Sequence, residues 1–311
     1  MPEAALAIDG GQTGIRAQVR RADGSAWDGL PVYESRGILT DRPLAPQIAD
    51  VVGQARAASG LEFSTVSAGL SGLTDGEDLA PALLASTADF GVGTVHLVHD
   101  SVSSYLGALG DSRGAVIAAG TGSVTLAVGA TDVVRIDGWG YIMGDAGSGY
   151  WLGREALVAV MRAFDGRGPA TALTDVVAAD FPDLAQAYVD LQRDADRIRR
   201  TASYAAHVAR LADTDEVARG ICDAAAAELA LAVATGLRRV GEDAVEAPTV
   251  CFLGGVLRGE RVRSQLVARL AALWPHLVVR EPLASSLEGA AMLPALDPGS
   301  ALAHQLLTAR R

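Results

Sequence analysis

Asp9-Gly10-Gly11-Gln12-Thr13-Gly14 ends one short apolar strand, Leu6–Ile8, and opens another, Ile15–Arg20. Glycines let a backbone approach a ligand closely, and successive N–H groups in such a turn form a nest for an anion. Thr13 adds a hydroxyl donor. Asp9, at a strand end, suits hydrated Mg2+, which favours one or two carboxylates completed by phosphate and water. Read alone, the segment is equally a hairpin turn with a capping aspartate. The same form recurs at Gly120-Thr121-Gly122-Ser123, between strands Gly114–Ala119 and Val124–Val128. That recurrence gives the pair its weight, as two turns able to grip one phosphate chain. Gly254-Gly255, between the strand Thr249–Leu253 and the helix Gly259–Leu273, is a third such turn, open enough for an adenosine or ribose.

Three further residues carry candidate chemistry. Asp100 follows the strand Val95–Val98 and precedes the helix Val102–Leu109. A carboxylate there can take the proton of a primary alcohol as the oxygen attacks phosphorus; phosphoryl transfer otherwise asks mainly for alignment and charge neutralisation. Asp100 reads equally as a helix cap. Asp145 either caps the helix beginning near Ser148 or accepts hydrogen bonds from vicinal hydroxyls. Trp139, between Gly138 and Gly140, is either core or a flat apolar face for a pyranose ring. The five histidines show no metal-ligand spacing, and His99 stands at best behind Asp100.

Composition narrows the chemistry. All 26 basic residues are arginine, with no lysine. A Walker A loop, a protein-kinase strand lysine and Schiff-base catalysis are therefore excluded. Any nucleotide must be held by backbone N–H groups, hydroxyls, Mg2+ and arginine. The net charge of −11 argues against a nucleic-acid partner. Cys222 and Cys251 form no CxxC pair, so neither a disulfide framework nor a zinc site is expected. No uninterrupted apolar run reaches the roughly 18 residues of a membrane span. Asp9 breaks the first strand, against a signal peptide. The expectation is a cytoplasmic protein with no membrane partner.

The elements that must position these residues read as β-β-β-α-β-α-β-α over residues 1–110. Residues 114–296 repeat that plan around a helical insert, Ala170–Val240. Within the insert, the arginines of Gln192–Arg200 alternate with Asp194 and Asp196 and read as a solvated helix face. The tail Ala301–Ala309 reads as helical. Mixed sheets flanked by helices on both faces make the fold class α/β.

Six segments resemble one family, the N-acetylglucosamine kinase group of the sugar kinase–actin–heat-shock ATPase superfamily. That group lies within the BadF/BadG/BcrA/BcrD ATPases, which include activators of CoA-ester reductases and dehydratases. The segments are IDGGQTGIR, AGLSG at Ala68–Gly72, HDSVSSYLGAL at His99–Leu109, AGTGS at Ala119–Ser123, DGWGYIMGDAGSGYWLGREAL at Asp137–Leu157 and LGGV at Leu253–Val256. The resemblance implies two ribonuclease H-like domains, residues 1–112 and 113–311, with ATP and sugar in the cleft between them. The insert would span about 165–245, and the last helix would pack back on the first lobe. It implies an ATP- and Mg2+-dependent kinase acting on the 6-hydroxyl of N-acetylglucosamine, glucosamine or N-acetylmuramic acid. Asp100 would be general base and Asp9 would hold Mg2+ through water. Gly10, Gly11, Gln12 and Thr13, with Thr121, Gly122 and Ser123, would cradle the phosphates. Gly254 and Gly255 would flank the adenosine. Ser71, Gly72, Asp100, Gly138, Trp139 and Asp145 would line the sugar pocket. A homodimer is the family-level expectation.

The chain departs from the family pattern where a sugar-contacting asparagine is expected. Ser35-Arg36-Gly37-Ile38-Leu39-Thr40 holds none, and the chain has none. Thr40 or Asp41 could substitute, and Arg36 hints at an acidic substituent. Gln12 stands where a glycine is commoner. Two other functions compete. A reductase activator would need exposed cysteines for an iron–sulfur cluster, whereas Cys251 lies in an apolar strand and Cys222 in an Ala-rich helix. A non-catalytic sugar-binding regulator would carry a DNA-binding domain, and only five residues precede the first strand.

Overall fold

Leu6 and Ile8 are fully buried, while Ala5, Ala7 and Asp9 alternate with them along strand β1 (Ala4–Gly10). The period of two sends the large residues to one face of a sheet and the small ones to the other. On the first face, Leu6, Ile8, Val66, Ala68 and Leu70 join the core built with α1 (Leu44–Ser59) and α2 (Leu79–Ser86). The small-residue face admits α3 (Asp100–Leu109) and α10 (Ser286–Ala291) so closely that a Cβ on Gly69 would lie 1.9 Å from Ser103 Oγ. The computed structural model describes residues 3–39, 41–73 and 78–311.

The chain divides into two units: Met1–Arg113, Val128–Val133 and Glu281–Arg311 in the first, Gly114–Ala127 and Val134–Arg280 in the second. The first holds β1, β2 (Ile15–Arg21), β3 (Tyr33–Ser35), β4 (Phe63–Leu70), β5 (Thr94–His99) and β11 (Leu307–Arg310), in the order β11-β5-β4-β1-β2-β3. β4 runs parallel to β1 and β5, whereas β2 is antiparallel to β1 and β3.

The second sheet, in the second unit but for Val128 and Val133, holds β6 (Gly114–Ala119), β7 (Ser123–Val128), β8 (Val133–Asp137), β9 (Thr249–Leu253) and β10 (Val278–Arg280), ordered β10-β9-β6-β7-β8. β9 is parallel to β6 and β10. The third, second, first, fourth and fifth strands are thus neighbours in both sheets, so the repeat read in the sequence is a repeat of topology. Helices α4 (Gly149–Phe164), α5 (Leu173–Asp180), α6 (Ala187–Arg193), α7 (Arg197–Leu211), α8 (Glu216–Arg239) and α9 (Glu260–Leu273) complete the unit. The fold class is α/β, as expected.

Two sequence expectations are corrected. The tail is not helical: after a short 3-10 turn at Ala301–Gln305, Leu307–Arg310 adds an edge strand antiparallel to β5. Alternation over four residues is too short a signal to outweigh the alanines and leucines before it. The lobe expected to end at residue 311 stops earlier, because Glu281–Arg311 folds into the first unit. Helix α8 is also long and apolar enough to cross a membrane. Ala225, Ala226, Leu229, Val233 and Leu237 bury its apolar side in the core of the second unit.

Candidate active site

In the first unit the parallel strands β1, β4 and β5 end in register, with Gly10 beside Leu70 and Leu70 beside His99. Asp9, Ser71 and Asp100 therefore emerge at one carboxyl edge, where ligands of open α/β sheets bind. Asp9 and Asp100 stand two strands apart, roughly 10 Å at about 4.8 Å per strand. Asp100 is the first residue of α3 and its side chain is 28 % exposed. Ser71 Oγ donates to Asp100 Oδ2, and His99 Nδ1 lies 2.8 Å from Asp100 Oδ1. Burial pushes the Asp100 carboxyl up. The hydrogen bond and charge of His99, with donors from Ser71 and the Ser101 N–H, outweigh burial and hold it below the ordinary aspartate value.

The cap and base readings of Asp100 separate here. His99 occupies the N-cap, its Nδ1 3.2 Å from the Ser101 N–H. Carrying a hydrogen, that nitrogen donates to Asp100; without one, its lone pair accepts from Ser101. His99 pairs with the Asp100 carboxylate, behind which the sequence set it, and it also caps the helix.

Asp9 is 15 % exposed and takes two donors on Oδ2, Arg16 NH2 at 2.5 Å and Ser286 Oγ at 2.8 Å. Arg16 lies directly opposite Asp9 in the β1–β2 register. The hairpin spacing carried that signal, and sequence reading passed over it. Gly10, Gly11 and Gly14 do not adopt positive φ. Gly10 is needed for space instead: a Cβ there would lie 2.8 Å from Leu70 Cδ2. The Gly11 N–H is committed to Gly14 O at 3.0 Å, which removes it from the expected nest. Gln12 and Thr13 stand exposed at the tip. Gly37 packs under them, since a Cβ there would lie 2.1 Å from Gln12 O. Arg36 and Asp41 are exposed, Gly72 is exposed with φ +79°, and Thr40 lies outside the described residues.

In the second unit the Gly120-Thr121-Gly122 turn docks on the start of α4, whose Gly149 and Tyr150 N–H groups donate to Gly120 O and Thr121 O at 2.7 and 3.0 Å. Ser148 is the N-cap of α4, accepting from the Trp151 N–H, so Asp145 is not the cap. The loop 138–148 is held by Asp137, which the sequence reading did not single out. Its carboxylate accepts the N–H groups of Asp145 and Ala146 at 2.8 and 2.9 Å. Asp137 and Asp145 are both left-handed, φ 59° and 58°, a conformation that costs any non-glycine residue. Trp139 is 58 % exposed with Arg135 over its ring at 4.8 Å, so it is not core. Ser123 braces the loop: its Oγ donates to Ala146 O at 2.9 Å and its N–H to the Asp145 carboxylate.

Burial pushes the Asp145 carboxyl above its ordinary value; the N–H groups of Ser123 and Gly140 oppose this, and the charge of Asp137 adds to it. The folded state then binds this proton more tightly than the unfolded chain. The stability deficit is complete above the folded-state pKa and fades as pH falls toward the unfolded value of about 3.9. Asp145→Asn should raise the urea midpoint at pH 7, and that gain should shrink near about pH 4. An equal gain at both values would sink the assignment.

A cavity of about 460 Å³ opens beside this turn, lined by Gly120, Thr121, Arg199, Ser203, Gly255 and Val256 among others. Helix α7 supplies Ala202, Ala205, Ala206 and Ala209 to its wall, and their small side chains leave the room. Gly254, φ +95°, sits so close to β6 that a Cβ would lie 2.3 Å from Ala119 O, and Gly255 has open space before it. Arg199 pairs with Asp196 at 2.7 Å, as a solvated face predicts, yet it also borders this cavity. Sequence reading missed the α7 wall because alanines on a helix carry no chemical mark. Cys222 lines the cavity fully buried, its thiol pushed up to about 11 by burial, and Cys251 is fully buried in β9.

A profile of the BadF/BadG/BcrA/BcrD ATPase family matches residues 6–293. The chain belongs to that family. Within it, a 195-residue stretch is 29 % identical to the N-acetyl-D-glucosamine kinase of Dictyostelium discoideum, covering 60 % of each chain. A stretch of 83 residues is 35 % identical to the N-acetylmuramic acid/N-acetylglucosamine kinase of Clostridium acetobutylicum, covering 26 % of this chain and 27 % of that one. The match thus spans less than two thirds of either curated relative. A solved candidate N-acetylglucosamine kinase from Chromobacterium violaceum superposes with a TM-score of 0.73 at 27 % identity, over 94 % of this chain and 98 % of that one. This ATPase-family member shares the two-sheet architecture of that enzyme fold.

Proposed function

We propose that this protein is an ATP-dependent amino-sugar kinase that transfers the γ-phosphoryl group to the 6-hydroxyl of N-acetylglucosamine or a related amino sugar. The observation that carries the reading is Asp100. It is a recessed carboxylate at a strand end, kept ionised by His99, Ser71 and the Ser101 N–H. An ionised carboxylate can accept the alcohol proton as its oxygen attacks phosphorus. Ser71 and His99, on Oδ2 and Oδ1 of that carboxylate, hold it in place. Family membership and the kinase names of its relatives support the same reaction class.

The remaining roles follow from chemistry and position. The cavity beside Gly255 suits the nucleoside of ATP: it is apolar and small-walled, with Arg199 and Ser203 as polar groups. Thr121 and Gly122 on one turn, and Gly10, Gln12 and Thr13 on the other, are the phosphate-facing candidates left once Gly11 and Ser123 are committed elsewhere. Among the described residues no cluster of three histidine, cysteine or acidic side chains exists to cage a metal. A single carboxylate, Asp9, fits hydrated Mg2+, which completes its shell with water and phosphate. Both recorded donors to Asp9 fall on Oδ2. Bound Mg2+ would neutralise phosphate charge. In the second unit, Gly138, Trp139 and Asp145 on the Asp137-anchored loop are the candidates for orienting the sugar; in the first, Ser71 and Gly72 are.

The test is a coupled ADP-release screen with Mg·ATP over glucosamine, N-acetylglucosamine, N-acetylmuramic acid and common hexoses. Turnover on an amino sugar at least about tenfold above glucose supports the reading. ADP release independent of every sugar would sink it. Arg36, exposed after β3, makes N-acetylmuramic acid the informative member of the panel; equal rates on all three amino sugars would show that this loop does not discriminate.

A further inference from the structure

Helix α10 begins Ser285-Ser286, and the two serines divide their work. Ser285 is the N-cap: its Oγ accepts the Glu288 N–H at 3.3 Å. Ser286 Oγ leaves the helix and donates to Asp9 Oδ2 at 2.8 Å. The same hydroxyl accepts from Arg16 NH2 at 3.2 Å, and that nitrogen also reaches Asp9 Oδ2. Helix α10 has its cap from Ser285 and asks nothing of the Ser286 hydroxyl.

Nor can Ser286 drift. A Cβ on Gly289 would lie 1.9 Å from Ser103 O, and one on Gly107 would lie 2.1 Å from Ser285 O, so α10 and α3 pack backbone against backbone. Arg20, 4 % exposed, grips both Glu288 oxygens at 2.7 Å and ties α10 to β2. Helix α3, the partner of α10, carries Asp100 at its first position. One rigid pair of helices thereby addresses both strand-end carboxylates of this unit.

Resting on the kinase reading, we infer that Ser286 is a positioning residue for Asp9. Guanidinium and carboxylate prefer a two-oxygen fork. Ser286 holds Oδ2 and engages the Arg16 nitrogen that would otherwise help close that fork. Oδ1, untouched by these two donors, would then be the oxygen open to a hydrated cation. Without the hydroxyl, Asp9 rotates into a two-oxygen grip with Arg16, and the cation must compete with a covalently tethered positive charge. Ser286 touches neither nucleotide nor sugar in this scheme.

The experiment compares full-length wild type, Ser286→Ala, Ser286→Thr and Ser285→Ala by calorimetric titration of ADP across a MgCl2 series, with thermal unfolding alongside. Ser286→Ala should need about fivefold to tenfold more Mg2+ for the half-maximal gain in ADP affinity, the factor that an ordinary net hydrogen bond carries. ADP affinity without metal should be unchanged. Ser286→Thr keeps a hydroxyl and should return the Mg2+ requirement to within about twofold of wild type. Ser285→Ala should lower the melting temperature through cap loss and leave the Mg2+ requirement alone. An unshifted requirement in Ser286→Ala, or equal shifts in both serine variants, overturns the inference and leaves the kinase reading standing. Wild type showing no Mg2+-dependent ADP binding overturns the kinase reading and this inference with it.

Discussion

Asp100→Asn lowers kcat by about two to four orders of magnitude, the usual contribution of a positioned general base. The sugar and nucleotide affinities change little. The amide oxygen still accepts from Ser71, and His99 remains the cap of α3. Only the capacity to take a proton is lost. Steady-state kinetics with calorimetric sugar binding checks this, and wild-type turnover in the variant would end the catalytic assignment. The pH profile gives a second reading. The Asp100 carboxyl is held below the ordinary aspartate value, so it is ionised above that value and the rate falls only as pH drops through the lowered one. Between about pH 5 and 8 the profile of kcat/KM carries no inflection from Asp100.

The second large effect belongs to Asp137. Its carboxylate is the acceptor for two successive N–H groups, those of Asp145 and Ala146, and its backbone sits at φ 59°. Asp137→Ala orphans both donors, at about 1–3 kcal/mol for each that stays buried. It also places in the left-handed region a residue that tolerates it less well than aspartate. The loop 138–148, which presents Trp139 and Asp145, loses its anchor. The expected outcome is a rise in sugar KM of at least about tenfold with a smaller change in kcat, the signature of lost substrate positioning. Amide hydrogen exchange at Asp145 and Ala146 should accelerate. Asp137→Asn keeps one acceptor oxygen and a side chain suited to positive φ, so it should fall between. Unaltered KM together with protected amides in Asp137→Ala would refute the anchoring role.

Much of the molecule was legible in the residues. Gly114–Ala119, Gly149–Phe164 and Thr249–Leu253 fall where the apolar pattern set them, because each is bounded by glycines or polar residues that end its period. The repeat of β-β-β-α-β-α-β-α is matched by two sheets of the same strand order. The absence of lysine excluded whole classes of phosphate chemistry before any coordinates. What the sequence could not resolve were questions with two local answers. Asp100 and Asp145 could each cap a helix or face a ligand, and spacing along the chain is the same in both cases. His99 and Ser148 take the caps, which frees both aspartates.

By itself, then, the sequence determined the α/β class, the paired glycine turns, the strand-end positions of Asp9 and Asp100, and that any grip on phosphate works without an ammonium group. Those follow from period, turn chemistry and composition, which are local or additive. Only the tertiary structure decided that Glu281–Arg311 folds with the first unit, that Ser286 meets Asp9 across 277 positions of chain, and that Ala202, Ala205 and Ala206 wall a cavity with Gly255. Such contacts depend on how closely packed backbones approach, here through Gly69, Gly107 and Gly289. A side chain's meaning at such a place is set by its neighbour in space, and no period along the chain encodes that neighbour.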